Sequence, residues 1–546
     1  MKFYRFLLIP LLALIVSVLV FFPLLSMEGA FYGYSSSLKI PDYPYQSGEK
    51  SSNVLLIIVD GLRVDMAKSL SSLTKFPVTS GTLCTKPPSW SNPCFSNIVT
   101  GTWQEFHSVT SNEFQEIIPV EQIFTFSSSS FVTAFSGDES SRALIGDMAS
   151  MAYAPISSQS PEEEDILILK KAKEFLALKP SFLLVHLNQV DHYLHYSGIS
   201  GEPTAKALRN IDSLLDDLLS DVDLNSYSVI VTSDHGHLDQ GGHGGGEDVV
   251  LTTPLFMFGA RIKPGIQVSG TQIDIAPTVA VLTGAPIPRY SLGEPLWDVL
   301  DLPLEVKVQA ALRLLGERDQ FAQAFFQMLK EKYTPVDFTP LESSTDYAAV
   351  FTTSESLRKN IDSQIQALVN TKISEERNSR LYAPIVGGLV ILGVLILGFR
   401  RKWPFALLNA IAALILFLLA YREVLGLSFS FSILKVGSFL EFFLIFGIPL
   451  LLSEIVVAIL LPLQLKSARA GELTKFLQKS LFSVSLILLF LFSLLFYLNG
   501  MSSPWHLPDF GLGFLELTLL LMIIWNGFFV LFVPPVFWPF WRKVRG

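Results

Sequence analysis

Cysteine is nearly missing from this 546-residue sequence, which carries only Cys84 and Cys94. Two thiols cannot build a disulfide framework or a cysteine-based zinc module, so any metal must rest on imidazole and carboxylate. The pair can bridge in an oxidising compartment or sit as two small buried hydrophobes, and both readings stay open. Basic charge is also scarce: 40 Lys and Arg stand against 49 Asp and Glu, for a formal net charge of −9. Nucleic-acid binders use a basic surplus to neutralise phosphates, so nucleic acid is set aside as a partner. No Asn-x-Ser/Thr sequon occurs. A large luminal domain of a eukaryote usually carries one, which leads us to expect a prokaryotic cell membrane.

Apolar residues, in contrast, make up half of the chain, and the mean hydropathy is +0.44. That points to a membrane protein with a sizeable soluble part. An uninterrupted apolar run at 6–25 follows Lys2 and Arg5 and reads as an anchor (residues 1–25), since no small-residue cleavage site closes it. Residues 26–52 form a linker rich in Ser, Tyr and Pro. Over 53–303, short β-branched runs alternate with amphipathic helical stretches, the pattern of an α/β domain with a mostly parallel sheet flanked by helices. Residues 304–381 are charged and helix-favouring, a stalk or cap whose plainer reading is packing against the main domain. The remainder, 382–546, holds five candidate spans near 383–399, 405–421, 438–463, 480–498 and 514–533.

Positive charge sets the orientation of these six spans. Lys2 and Arg5, Arg400 to Lys402, Lys466, Arg469, Lys475 and Lys479, and Arg542, Lys543 and Arg545 all fall on one side. By the positive-inside rule both termini are cytoplasmic and residues 26–381 are outside. Trp403, Trp505, Trp538 and Trp541 sit near span ends, where aromatic rings prefer the interface. Glu454 lies within a span, where a charge is costly unless it faces the bundle, and that is the expectation for it.

Three continuous apolar runs end in acidic or imidazole groups: NVLLIIVD in Asp60, SFLLVHLNQVD in Asp191, and YSVIVTSDH in Asp234 and His235. Such runs read as parallel strands buried on both faces, and ligands bind beyond the carboxyl ends of such strands. His195 follows Asp191 at a spacing of four, which one helical turn brings to one face. His243 follows in a glycine-rich loop able to curl back. This carboxylate and imidazole set suits zinc or manganese better than calcium or magnesium. For a nucleophile, Ser91-Asn92-Pro93 reads as a helix start, with Ser or Asn as the cap. Ser91 is then either the cap alone or a hydroxyl activated by a metal at a helix N-terminus.

The ordered series VDGLRVD, PPSWSNP with IVTG, VDHYLH, SDHG with GGHGG, and QIDIAPTVAVLTGAPIPRYSLG resembles the alkaline-phosphatase superfamily. It is most similar to the ethanolamine-phosphate transferases of glycosylphosphatidylinositol synthesis, and less so to the type I phosphodiesterase and nucleotide pyrophosphatase group. The resemblance spans roughly residues 50–300. It implies one metal on Asp191, His195 and His243, and a second on Asp60, Asp234, His235 and the nucleophile. Counting back from IVTG puts the nucleophile at Ser91, where relatives usually carry Thr, with Ser89 in reserve. Cys94, three residues on, departs from the Asn or Gly often found there. Sulfatases share the fold, but Phe95 stands where their signature needs Arg.

The expected chemistry is in-line displacement at phosphorus through a phospho-serine, moving phosphoethanolamine from a phospholipid to a membrane-associated acceptor. Lys86 and Asn92 are candidates to orient the non-bridging oxygens, a solvated surface role being the alternative for Lys86. His186, His192 and His237 lie beside the ligands as supporting partners, and His107 reads as structural. A phosphodiesterase or phosphatase with water as acceptor stays open, because fold does not fix substrate. A non-catalytic scaffold is the third reading, one expected to lose ligands that this chain keeps.

Overall fold

A computed structural model describes residues 4–156, 160–398, 403–434, 439–466 and 468–545. Lys2, Arg400, Arg401 and Lys402 lie outside the described residues. The chain forms two compact units, one comprising 34–371 with 504–507, the other 1–33, 372–503 and 508–546.

The first unit is built on eight strands: β1 (Asn53–Val59), β2 (Thr79–Cys84), β3 (Thr133–Ser136), β4 (Met151–Tyr153), β5 (Phe182–Leu187), β6 (Tyr227–Thr232), β7 (Thr252–Gly259) and β8 (Gln267–Thr271). Their order is β4-β3-β5-β1-β6-β7-β2-β8, and every pairing is parallel except those of β7 with β6 and β2. The α/β reading with a mostly parallel sheet therefore holds. β5 and β6 are buried at every position and β1 at all but its first. Val54, Leu56 and Ile58 enter a core with Phe95, Ile98 and Val99, while Leu55, Ile57 and Val59 enter another with Ile168, Leu169, Ile211 and Leu215. Each such side chain contributes about 1.5–3 kcal/mol by leaving water. Two-sided burial is why these strands read as continuous apolar runs.

The charged region 304–381 forms two long helices, Leu304–Met328 and Tyr347–Ser379. Leu315, Phe321 and Phe325 of one pack with Ile361 and Ile365 of the other, and with Leu38, Ile40 and Phe106. Asp362 pairs with both Arg318 and Arg358, and Arg358 also holds Glu294 at 2.6 Å. Residues 34–52 have no regular structure, yet they form a packed strap. Tyr34, Leu38 and Ile40 are buried, and the Arg289 guanidinium lies over the rings of Tyr43 and Tyr45 while pairing with Asp42.

In the second unit, Tyr4–Tyr32, Trp403–Leu419, Phe439–Gln464, Ala470–Leu498 and Phe510–Arg545 are helical, as is Tyr382–Gly398. Six helices among the described residues are long and apolar enough to cross a membrane. Within Phe439–Gln464, Leu440, Ile448, Leu452, Ile459 and Leu463 are exposed, whereas Phe446, Leu450, Ala458 and Leu461 are buried. Glu454 falls on the buried stripe at the same helical spacing and is 0 % exposed, facing the bundle.

Cys84 and Cys94 are free thiols, the first exposed and the second buried in the helix that follows β2. If the charge pattern orients the chain as read, a membrane-impermeant maleimide should label Cys84 in intact cells, and Cys84→Ser should abolish the signal. Labelling that requires permeabilisation would overturn that orientation.

Candidate active site

β5, β1 and β6 are adjacent and parallel, so their carboxyl ends open on one edge. Asp60 follows β1 directly, Asp234 and His235 follow β6 by two and three residues, and Asp191 lies in the helix Gln189–Ser197 after β5. The next residue after Asp60 must be glycine. Gly61 has φ +71°, and a Cβ there would stand 3.0 Å from both Asp191 Cα and His237 Cδ2. Its N–H donates to Asp234 Oδ1 at 3.1 Å, tying the β1 and β6 ends together. The turn after β5 is pinned by buried Asp165, which accepts from Asn188 N, Gln189 N and Gln189 Nε2. Burial pushes the Asp165 carboxyl up to about 6 against the opposing pull of these donors.

Ser91 opens the helix Ser91–Thr100 with Pro93 in its first turn. Trp90, rather than Ser91 or Asn92, occupies the cap position, and no side chain caps the helix. Asn92 N–H is taken by Asn112 Oδ1, and Pro93 has none, so the helix offers its dipole more than a row of free N–H groups. Ser91 Oγ stands 3.3 Å from His235 Nε2.

Around it the donors fall into two adjoining sets. His235 Nε2 is 3.3 Å from Asp60 Oδ1 and 3.5 Å from Asp234 Oδ2. His195 Nε2 is 3.0 Å from His243 Nε2 and 3.5 Å from Asp191 Oδ2, and His243 Nε2 is 3.6 Å from Asp191 Oδ1. The rings of His235 and His243 stack with centroids 3.8 Å apart, which sets the two groups side by side. Hydrogen-bond partners assign the tautomers. His235 Nδ1 faces Gly236 O and His243 Nδ1 faces Ser89 O, so each Nδ1 carries the proton and each Nε2 keeps a lone pair. His237 is the reverse: Nδ1 accepts from Gly242 N, so Nε2 donates to Asp191 Oδ1 at 2.6 Å. His237 thus supports Asp191.

Burial, with Asp234 and Asp191 nearby, pushes the Asp60 carboxyl well above the usual carboxylate range. Asp60 Oδ1 and Asp234 Oδ2 are buried and receive no hydrogen bond among the described residues. Asp60 and Asp234 offer neighbouring donor atoms, so ionising both sets like charges against each other where water screens them poorly. Burial would raise Asp191 too, but the His237 hydrogen bond and the surrounding imidazoles hold it well below its ordinary value. Burial and then His235 hold His243 low, which keeps it a neutral donor. Lone-pair imidazoles facing carboxylates without proton donors fit divalent cations.

Other residues singled out in the sequence lie elsewhere. Lys86 binds both oxygens of Glu105 at 2.6 and 2.7 Å and lies over Trp103, lining a separate cavity of about 280 Å³. The Asn92 amide donates to Asn112 O and Phe114 O and accepts from Ser140 Oγ, turned into the fold. Ser89 Oγ bonds Gly245 O and receives Gly244 N, holding the glycine-rich loop. His192 packs beside Tyr193 and Tyr196. His107 is buried between Asn97 and Val109 N, its pKa lowered to about 3 by burial. Asp138 and Asp165 were not legible as site partners, since nothing in their local sequence marks them.

Residues 163–241 match the family described as Type I phosphodiesterase / nucleotide pyrophosphatase. GPI ethanolamine phosphate transferase 2 of Kluyveromyces lactis is 23 % identical over 406 residues, 65 % of this chain and 51 % of its own length. GPI ethanolamine phosphate transferase 3 of Schizosaccharomyces pombe is 29 % identical over 157 residues, 26 % of this chain and 17 % of its own. The chain spans about half or less of the length of these relatives. Among solved structures, the phosphonate monoester hydrolase of Agrobacterium radiobacter is 14 % identical with a TM-score of 0.37, over 46 % of this chain and 77 % of that one. Human ectonucleotide pyrophosphatase / phosphodiesterase 5 is 14 % identical with a TM-score of 0.36, over 46 % and 100 %. The resemblance read from the motifs is borne out by the family match and these transferase relatives. Both relatives are fungal, and the expectation of a prokaryotic membrane finds no support in them.

The raised Asp60 carboxyl makes a signed prediction for metal-free protein. The fold binds this proton more tightly than the unfolded chain does, so its stabilisation is full below the ordinary carboxylate pKa and is lost as pH rises through the folded value. Asp60→Asn should therefore melt higher than wild type at pH 7–8 once both are chelated, with the gap closing in acid. A lower melting temperature for the variant at pH 7–8 would contradict this.

Proposed function

We propose that this chain is a metal-dependent phosphotransferase that moves phosphoethanolamine from a phospholipid to a membrane-associated hydroxyl, by way of a phospho-serine at Ser91. The observation that carries the reading is the Ser91 hydroxyl, at a helix N-terminus and 3.3 Å from an imidazole of a buried carboxylate cluster. Zinc suits this donor set best, with manganese next. Two such ions, one on Asp191, His195 and His243 and the other on Asp60, Asp234 and His235, would supply Lewis acidity and favour the ionised hydroxyl.

Ser91 Oγ bonds to phosphorus as the donor's P–O ester bond breaks, and the donor leaves as its alcohol with the proton Ser91 gives up. The acceptor hydroxyl then bonds to phosphorus as the Oγ–P bond breaks, and its proton returns to Ser91. The positive end of the helix dipole favours the phosphoryl anion at this point. His237 holds Asp191 in place through its 2.6 Å hydrogen bond. The names of the transferase relatives and the apolar helices support a lipid-borne substrate. The family match at 163–241 favours the second reading, a phosphodiesterase in which water takes the acceptor's place.

Protein in nanodiscs, given a phospholipid labelled in its phosphoethanolamine headgroup, should yield a labelled Ser91 peptide by mass spectrometry. Ser91→Ala should yield none and lose turnover by about 10³-fold or more. Label released only to water, whatever hydroxyl lipid is supplied, would replace the transferase reading with the hydrolase.

A further inference from the structure

His186 is the fifth residue of β5, on the sheet face that Phe182 and Leu184 bury. It is 1 % exposed and stacks on Phe95 at 5.6 Å. A polar ring so deep in a strand is costly unless both nitrogens are satisfied. Nδ1 is satisfied: it lies 2.7 Å from Ser141 Oγ and 3.2 Å from Asp138 Oδ1. Asp138 is fixed in turn, since it caps the helix Glu139–Ile145 by accepting from Ser140 N and Ser141 N. An ionised carboxylate only accepts, so Nδ1 carries a proton, and in the neutral ring Nε2 keeps a lone pair.

That lone pair has no hydrogen-bond partner among the described residues. It lies 3.6 Å from Asp60 Oδ2, and His186, Asp60 and Asp234 bring their donor atoms into one buried cluster. Three electron-rich groups that point at one another repel unless a proton or a cation lies between them, and a shared cation satisfies all three at once. The separation is too long for a hydrogen bond, but it suits two donors that each reach about 2.0–2.2 Å to a shared ion. A carboxylate behind a ligating histidine is also the usual way that such a ring is oriented. The sequence leaves room for it, because a Cβ at Gly137 would fall 2.9 Å from His186 Cβ.

We propose that His186 Nε2 is a direct donor to the cation held by Asp60 and Asp234, with Asp138 as the residue that positions it. This rests on the two-cation reading above and adds a second imidazole, beside His235, to that ion's donors. The ion then keeps four donors from the protein without Ser91.

The test is cobalt(II) titration of the chelated full-length protein against a chromophoric chelator, with the visible spectrum recorded at each step. Wild type should show two affinities. His186→Gln should weaken one of them by more than about 100-fold and change that site's ligand-field bands, while Asp138→Asn should weaken the same one by about 10–100-fold. The other affinity should stay unchanged in both variants, which a general loss of structure would not allow. Two wild-type affinities and an unchanged spectrum in His186→Gln would overturn this assignment alone, as would an Asp138→Asn protein identical to wild type. Failure of the wild type to bind cobalt would overturn the functional reading with it.

Discussion

Three carboxylates, Asp60, Asp191 and Asp234, meet at one sheet edge where water is largely excluded, and the rest of the site answers to that constraint. Asp60 and Asp234 have oxygens with no hydrogen-bond donor to meet them among the described residues. Like charges so placed oppose folding unless they take up protons or share cations. His235 and His243 each keep an Nε2 lone pair on the side of the carboxylates. The arrangement is stable when positive charge lies between these groups, which is the condition for handling a phosphate.

The fold delivers this by direction more than by contact. Adjacent parallel β5, β1 and β6 end together, so residues far apart in the chain arrive at one edge with little loop between strand and ligand. The tight passage at Gly61 and the buried anchor Asp165 then fix where the strand ends point. Burial of these strands on both faces makes the platform rigid, and rigid placement keeps donors within tenths of an ångström of useful positions.

Much of this was legible in the sequence because it is local. The continuous apolar runs declare two-sided burial, and the Asp191–His195 spacing declares a shared helix face, 3.5 Å apart in the structure. What was not legible depends on long-range pairing. The reversal of β7 leaves no trace in its own apolar run. That His237 is a supporting partner was legible, but not that it serves Asp191, 46 residues away, and the Asp165 bonds to Gln189 join residues 24 apart. Lys86 was attractive as a cation near the nucleophile, but Glu105, nineteen residues on, binds it first. Asn92 has the right neighbour and the wrong direction, because its amide satisfies the carbonyls of Asn112 and Phe114.

The central claim is that two cations sit side by side at this edge. Anomalous diffraction from crystals of the metal-loaded protein addresses it most directly. The account predicts two peaks, one bounded by Asp191, His195 and His243 and the other by Asp60, Asp234 and His235. A single peak, or no peak at this edge in fully active protein, would contradict it.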